Sequence, residues 1–388
     1  MTGHLFDAFF LIFTGSAIVA SVALYSRQPL LVAYVAIGML FGPFGLKIVP
    51  DLNIVSDISH IGIVFLLFLL GLDMQPKALK SVFKEISIVA IASSTLFAGL
   101  GYLLGLSFGF NQTESVVLGM ALIFSSTIIG IKLLPTTVLH HKHTGELMVG
   151  LLLFQDFLAI ICLLILASGT PGELNLPELG MAFAALPALG VIAFAFVKYV
   201  LLHLISRFDR FHEYIFLLAI GWCLGLAKLA EFMHLSAEIG AFIAGITLAT
   251  SPISQFIALN LKPLRDFFLI LFFFALGAQL NISLLPTLFL PIIAVSAVVL
   301  IVKPVVFYGL LCRKSERKGL AWDIGFRLGQ ISEFSLLLTL VASTNDIISE
   351  KVTVVIQSAA IVTFLVSSYI VIFCFPNPIA VSEKLRRD

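Results

Sequence analysis

Residues 147–167 read LMVGLLLFQDFLAIICLLILA and decide the class of fold, because this run is long and apolar enough to cross a bilayer. A single carboxylate stands inside it, Asp156, directly after Gln155. A charge at the centre of a bilayer costs roughly 3 kcal/mol on insertion scales, so such residues mark ion or proton pathways. We therefore interpret Asp156 as an ion or proton site near the midplane of a membrane.

The whole chain has the composition of a polytopic helical membrane protein. Of its 388 residues, 60% are hydrophobic and 12% are charged, and long apolar runs dominate over the short alternating segments of a membrane β-barrel. A net charge of +1 provides no basic face for nucleic acid. The four cysteines have neither disulfide nor zinc spacing. We expect no resident metal and no cofactor, and no constellation of residues indicates an enzyme.

Hydropathy and helix breakers divide the chain into about 13 membrane spans. They are placed near 7–25, 29–47, 59–73, 85–109, 114–138, 147–168, 178–205, 213–233, 236–250, 265–280, 286–312, 321–344 and 352–375. On this map, 16 of the 23 Lys and Arg residues fall in loops on one side and two on the other. The positive-inside rule then predicts a multi-pass protein of the inner (plasma) membrane, with its N-terminus outside and its C-terminus in the cytoplasm.

Polar residues interrupt the fifth and the twelfth spans: Ser125, Ser126 and Thr127 in the first case, and Arg327, Gln330, Ser332 and Glu333 in the second. The two spans hold corresponding places in the halves 7–168 and 213–375, with 178–205 as a linker helix. Ordinary helix packing would explain either break alone, but paired breaks indicate an inverted-repeat transporter with a midplane site. We predict an all-α fold in which two inverted six-helix repeats cross at broken helices. A single transmembrane domain covers 1–388, without a soluble regulatory domain.

Lys303 is the natural counter-charge for Asp156. It lies deep in the eleventh span, and two lone opposite charges in hydrocarbon should pair. The alternative is a lysine that snorkels to the inner surface. Arg327 and Glu333 are six residues apart and do not share a helix face. We expect each to have its own structural partner rather than to contact the ion.

Several further stretches occur along the chain in a fixed order: AIGMLFGPFGL at 36–46, FLLGLDM at 68–74, SSTIIG at 125–130, LLLFQD at 151–156, LSAEIGAFIAG at 235–245, LFFFALGAQL at 271–280, IVKP at 301–304 and LGQISEF at 328–334. Together they resemble the Kef-type branch of the monovalent cation:proton antiporter 2 family, which has the sodium/proton antiporter (NhaA-like) fold. The resemblance implies two inverted bundles with crossing, broken helices.

The resemblance also implies roles for individual residues. Asp156 would be the carboxylate that binds the ion and the proton, with Lys303 as its basic partner. Gln155 occupies the position where electrogenic relatives carry a second acid. Ser126 and Thr127 would lie near the crossing and, with Gln155, belong to the ion and proton site of Asp156. Gln330 and Glu333 would form the signature of the second crossing helix.

Kef-type proteins carry a cytoplasmic nucleotide-binding domain after the last span, and this sequence stops at Asp388. A regulatory domain or subunit is therefore expected to be missing from it. Where the family has an acidic regulatory loop before the tenth span, residues 256–266 read FIALNLKPLRD, which we interpret as a basic loop.

The function predicted from these observations is electroneutral potassium/proton exchange by alternating access, in which proton and cation compete for Asp156. One alternative is a channel-like potassium efflux pathway. A second is sodium/proton exchange, because side chains alone do not fix the selectivity between potassium and sodium. Symport of organic anions is third and is disfavoured by Lys303 opposite a lone acid. The expected partners are potassium or sodium ions, protons, the lipid bilayer and a second copy in a homodimer. No nucleic-acid partner is expected.

Overall fold

A computed structural model describes residues 2–26, 28–49, 52–73, 76–127, 130, 143–167, 176–208, 210–233, 235–251, 254–314 and 316–376. Over these ranges the chain is helical and contains no strand. The helices are α1 Thr2–Tyr25, α2 Leu30–Phe41, α3 Leu52–Asp73, α4 Pro76–Ser107, α5 Gln112–Ile123, α6 His143–Ala167, α7 Leu176–Phe196 with its continuation Leu202–Arg207, α8 His212–Phe232, α9 Ala237–Ala249, α10 Ser254–Ala278, α11 Phe289–Ala297 with its continuation Lys303–Arg313, α12 Lys318–Arg327, α13 Glu333–Thr344 and α14 Glu350–Cys374. Single π-helical turns, Val197–Leu201 and Val298–Val302, join the two parts of α7 and of α11.

Six of the described helices are long and apolar enough to cross a membrane, namely Phe6–Tyr25, Ile86–Ser107, Ala185–Arg207, Glu213–Phe232, Phe289–Arg313 and Glu350–Cys374. Shorter apolar helices, among them α2, α5, α9 and α13, pack against other helices of the bundle. The chain is therefore a multi-pass membrane protein that is all-helical over the described residues, as its hydropathy predicts.

The helices α4 and α10 extend well beyond the N-terminal ends of the apolar runs that define their predicted spans. α4 begins at Pro76, whereas its candidate membrane span begins at Ile86, close to the start of the predicted span 85–109. α10 begins at Ser254, so the stretch 256–266 is helical, with Pro263 inside the helix, and is not a loop. Hydropathy reports contact with lipid, whereas a helix satisfies its own backbone and can continue past the apolar region with charged side chains attached.

α2 and α10 pack with their backbones in close contact, through one glycine on each helix. A Cβ atom on Gly38 would lie 2.1 Å from the carbonyl oxygen of Phe274, and one on Gly277 would lie 2.1 Å from that of Val35. No side chain fits at these distances. Small residues at such crossings let membrane helices approach closely, which increases the dispersion energy between them.

α9 and α3 repeat this arrangement with the same spacing. A Cβ atom on Gly245 would lie 2.1 Å from the oxygen of Phe68, and one on Gly71 would lie 2.4 Å from that of Phe242. In each of the four helices, the residue whose carbonyl oxygen is contacted lies three positions before the glycine of that helix. The two helix pairs are therefore built alike and hold the two halves of the chain together.

Candidate functional site

The first break follows α5, which ends at Ile123. Phe124–Ser126 are not helical, and helical geometry returns at Thr127. A broken helix exposes backbone donors that hydrocarbon cannot satisfy. Gln155 of α6 supplies one partner, because its Oε1 accepts a hydrogen bond from the backbone N–H of Ser125 at 3.0 Å.

The second break is Leu328–Ser332, between α12 and α13. The Ser332 hydroxyl caps α13 by accepting a hydrogen bond from the Phe334 N–H at 3.1 Å. The N–H of Ile331 donates to Thr363 Oγ1 of α14 at 3.2 Å. In each break, therefore, one backbone N–H donates a hydrogen bond to a side chain. That side chain belongs to α6 for the first break and to α14 for the second.

The two breaks contact each other directly. Ser125 Oγ donates to the carbonyl oxygen of Leu328 at 2.8 Å. Ser335 Oγ, near the start of α13, donates to the carbonyl of Ala121 at the end of α5, at 2.6 Å. The fifth and twelfth spans are thus interrupted at the places that the sequence indicates, and hydroxyl groups of each span bond main-chain oxygens of the other.

Two longer polar side chains lie at the same crossing. Thr127 Oγ1 donates to Glu333 Oε1 at 2.5 Å, so the predicted structural partner of Glu333 comes from the opposite break. Gln330 Nε2 donates to the carbonyl of Arg327 at 2.8 Å and lies 3.4 Å from that of Ser126. These contacts bring together the polar residues that the sequence places in separate halves.

Asp156 lies beside this crossing and is 1% exposed. Its Oδ2 accepts no hydrogen bond from any part of the chain that the structure describes, and the Nε2 of the adjacent Gln155 donates none. The carboxylate of Glu333 is near enough to interact electrostatically with that of Asp156. A buried carboxylate oxygen without a partner carries a large desolvation cost, which a cation or a proton would offset.

Lys303 is also 1% exposed, and it joins the two breaks. Its ammonium donates to the carbonyl oxygen of Phe124 at 2.7 Å and to that of Gln330 at 3.1 Å. It also lies 5.3 Å from the centroid of the Phe97 ring, a cation–π contact. The π-helical turn Val298–Val302 directly precedes Lys303 and belongs to the interruptions that are frequent at functional sites.

The predicted ion pair between Asp156 and Lys303 is wrong for this structure. The ion pairs among the described residues do not include it, whereas Lys303 is bonded to main-chain carbonyls. The alternative of a lysine that reaches the inner surface is also wrong, because the side chain is fully buried. The broken helices leave carbonyl oxygens that need donors in a low dielectric, and three ammonium protons match that need.

Arg327 has the separate structural partners expected for it. Its Nε donates to Asp323 Oδ1 at 2.7 Å, one turn earlier on α12. Its guanidinium also donates to the carbonyl of Pro376, just beyond α14, at 2.6 Å. Arg327 therefore bonds α12 to the end of α14.

A family model described as "Sodium/hydrogen exchanger, transmembrane" matches residues 9–375 of this chain. The chain belongs to this family. Together with the similar proteins described next, the match confirms the resemblance to a cation:proton antiporter family, and it identifies the chain as a transmembrane exchanger domain.

Named relatives of this sodium/hydrogen exchanger chain come from a plant and a bacterium. K(+) efflux antiporter 5 of Arabidopsis thaliana is 28% identical over 335 residues, which are 84% of this chain and 58% of the relative. K(+) efflux antiporter 4 of the same plant is 28% identical over 331 residues, 84% of this chain and 56% of the relative. Iron transporter MagA of Paramagnetospirillum magneticum is 25% identical, over 88% of this chain and 79% of the relative. The exchanger chain thus spans a little over half the length of the two plant proteins.

The fold of the exchanger chain is similar to that of the sodium proton antiporter MjNhaP1 from Methanocaldococcus jannaschii. The TM-score is 0.73 at 17% sequence identity, over 94% of this chain and 96% of that one. A second structure of the same antiporter gives a TM-score of 0.68. At this identity the likeness establishes the fold.

Three contributors to the candidate site were missed by sequence reasoning. Phe97 stacks on Lys303, Thr363 bonds the second break, and Ser367 Oγ donates to Gln330 Oε1 at 3.0 Å. Thr363 and Ser367 lie four residues apart on one face of α14, inside an apolar helix. This four-residue spacing is the sequence signal that could have identified them, because paired hydroxyls on one face of a membrane helix commonly bond neighbouring helices.

Proposed function

We propose that the protein is a cation/proton antiporter that works by alternating access and exchanges potassium for protons. The observation that carries this proposal is the buried Asp156 Oδ2, which has no protein partner among the described residues and lies beside two crossing helix breaks. One oxygen in this position can hold a proton or a partly dehydrated cation, but not both. Competition for that oxygen couples the two fluxes.

We infer that the exchange is electroneutral. Gln155 stands next to Asp156 and is neutral, so the proposed site has one carboxylate on α6. Lys303 is bonded to carbonyl oxygens rather than to Asp156, so its charge need not change when Asp156 exchanges its ligand. One proton then replaces one monovalent cation in each cycle, and no net charge moves.

We propose potassium as the cation because two similar proteins are named K(+) efflux antiporters. Sodium/proton exchange is the second candidate, supported by the family description and by the similar fold of MjNhaP1, a sodium proton antiporter. Purified protein in vesicles with an internal pH dye, given potassium, sodium or rubidium gradients in turn, would rank the cations. An equal response to sodium and potassium would contradict potassium specificity but not antiport.

Two inverted repeats, 7–168 and 213–375, with 178–205 as linker, are the architecture that we propose for this site. Two observations support it. The pair α2 and α10 is built like the pair α9 and α3, which the symmetry would interchange. Gln155 bonds the Ser125 N–H as Thr363 bonds the Ile331 N–H. We also propose thirteen spans, an N-terminus outside and a C-terminus in the cytoplasm. The protein would lie in the inner membrane and form a homodimer.

The rival function is a channel-like potassium pathway in which Asp156 only attracts cations. An imposed potassium gradient distinguishes the antiporter from the channel when a potassium-independent voltage clamp holds the membrane at zero potential. Under this condition an antiporter still moves protons in the direction opposite to potassium. Potassium flux without proton movement under these conditions would refute the antiport mechanism.

A further inference from the structure

Arg327 is a fully buried arginine that the proposed exchange chemistry does not use. It is the bulkiest of the fully buried side chains in the described part of the chain. A buried guanidinium carries a large desolvation cost, which good hydrogen-bond geometry must offset. Its position is informative, because Arg327 is the last residue of α12 and directly precedes the second break.

The side of α12 that faces α11 packs against the residue after Lys303. A Cβ atom on Gly325 would lie 2.7 Å from the carbonyl oxygen of Pro304, and one on Gly329 would lie 3.0 Å from the Pro304 ring. α12 therefore cannot move towards α11 without a clash.

α12 is also attached to the end of α14. The Arg327 guanidinium donates to the Pro376 carbonyl at 2.6 Å, and the rings of Phe326 and Phe375 lie 5.5 Å apart. Asp323 holds the other edge of the guanidinium at 2.7 Å and neutralises its charge. α12 is thus fixed between Pro304 and the last residues of α14.

The backbone of Arg327 connects this attachment to the site. Its carbonyl accepts a hydrogen bond from Gln330 Nε2 at 2.8 Å, and the Gln330 carbonyl accepts one from Lys303 at 3.1 Å. A shift of α12 would therefore move an acceptor of Lys303 and the polar groups that face the first break.

We propose that Arg327 is a positioning residue for the cation site. By bonding the Pro376 carbonyl it sets the position of α12, and through Gln330 it sets the geometry of the crossing beside Asp156. The proposal rests on the cation/proton exchange proposed above. It assigns Arg327 no contact with the cation.

The test compares Arg327→Gln, Arg327→Lys and, as the matched control, Arg313→Gln in vesicles. Arg313 is exposed at the end of α11. We expect Arg327→Gln to raise the KM for potassium about tenfold or more, because misplacing a site by about 1 Å has effects of that order. Arg327→Lys should give an intermediate KM, because one ammonium bonds Asp323 and the Pro376 carbonyl together less well than the planar guanidinium does. Arg313→Gln should keep the original KM.

A second readout separates positioning from a purely structural role. Potassium should raise the melting temperature of the unmodified protein in detergent, and this increase should shrink in Arg327→Lys, which keeps the charge beside Asp323. If Arg327→Gln does not fold, the lysine variant alone decides. An unchanged KM and an unchanged potassium effect in Arg327→Lys would overturn the proposal, even if its melting temperature were lower. Absence of exchange in the unmodified protein would instead refute the proposed function.

Discussion

The Lys303 ammonium lies 2.7 Å from the carbonyl oxygen of Phe124 and donates a hydrogen bond to it. The same ammonium bonds the Gln330 carbonyl, so one charged side chain connects the two interrupted helices. Asp156 is left beside this connection with an unsatisfied oxygen. In this structure the two buried side chains, Lys303 and Asp156, therefore differ in their bonding. Lys303 satisfies backbone groups of the crossing, and Asp156 keeps the oxygen that the proposed exchange would use.

Asp156→Asn should reduce cation-dependent proton movement to the background of empty vesicles, because it removes the titrating oxygen at nearly constant shape. The matched control is Asp346→Asn, an exposed position with φ of 55°, a conformation that asparagine adopts readily. Both variants should insert and fold. Exchange that persists in Asp156→Asn would refute the central role of this carboxylate.

Lys303→Met should lower the free energy of unfolding by about 2 kcal/mol, because two buried carbonyl oxygens lose their donor. It should also slow exchange, since the breaks lose their common partner. Lys314→Met, at an exposed position beyond α11, serves as the control. The measurement is denaturant unfolding in detergent together with vesicle transport. If Lys303→Met is as stable as the control, the ammonium does not hold the crossing together.

Gln155→Glu should make the exchange electrogenic. The glutamate can still accept the Ser125 N–H bond that Gln155 accepts at 3.0 Å, so the local fold should survive. The second acid permits two protons for each cation, and moving one net charge across 100 mV is worth about 2.3 kcal/mol. Transport at clamped potentials should then depend on voltage in this variant, but neither in the unmodified protein nor in the exposed control Gln112→Glu. Steep voltage dependence in the unmodified protein would contradict the proposal that only one carboxylate, the one on α6, exchanges its proton for the cation.

Gly38→Ala and Gly245→Ala should destabilise the protein by similar amounts, about 1–3 kcal/mol each. In each case the new Cβ atom would meet a carbonyl oxygen at 2.1 Å, so two helices must separate. Gly225→Ala is the control, because nothing lies within 4 Å of its Cβ position. That change should be neutral or stabilising, since alanine favours helix over glycine. A large effect at Gly38 with none at Gly245 would argue against equivalent helix pairs.

The sequence was sufficient to locate the polar features of the site. The hydropathy pattern identified Asp156 as the lone acid of an apolar run. Clusters of small polar residues indicated the positions of both breaks. These signals are readable because a bilayer penalises each unsatisfied polar group. The structure places Asp156, Gln155 and the two breaks together, and their role as an ion site stays a prediction.

The partner of Lys303 could not be predicted in the same way. Charge matching on a sequence pairs a lysine with an acid, but the carbonyl oxygens of Phe124 and Gln330 become available only because their helices stop there. The extended starts of α4 and α10 were missed for a related reason. Apolar runs mark the part of a helix that contacts lipid and not the point where its hydrogen bonding begins.

The two shorter hydrogen bonds of Lys303 at the crossing go to main-chain carbonyls, and that has an evolutionary consequence. A carbonyl oxygen is present whichever residue occupies position 124, so a substitution at Phe124 leaves the lysine that acceptor. Position 330 is more constrained, because the Gln330 side chain also bonds the Arg327 carbonyl. The residues around Asp156 offer no such protection, because their side chains are the ones that would contact a cation. If Asp156 binds the cation as proposed, variation around it can change ion preference while the bond from Lys303 to the Phe124 carbonyl persists. Lineages that transport different ions could diverge from one such scaffold.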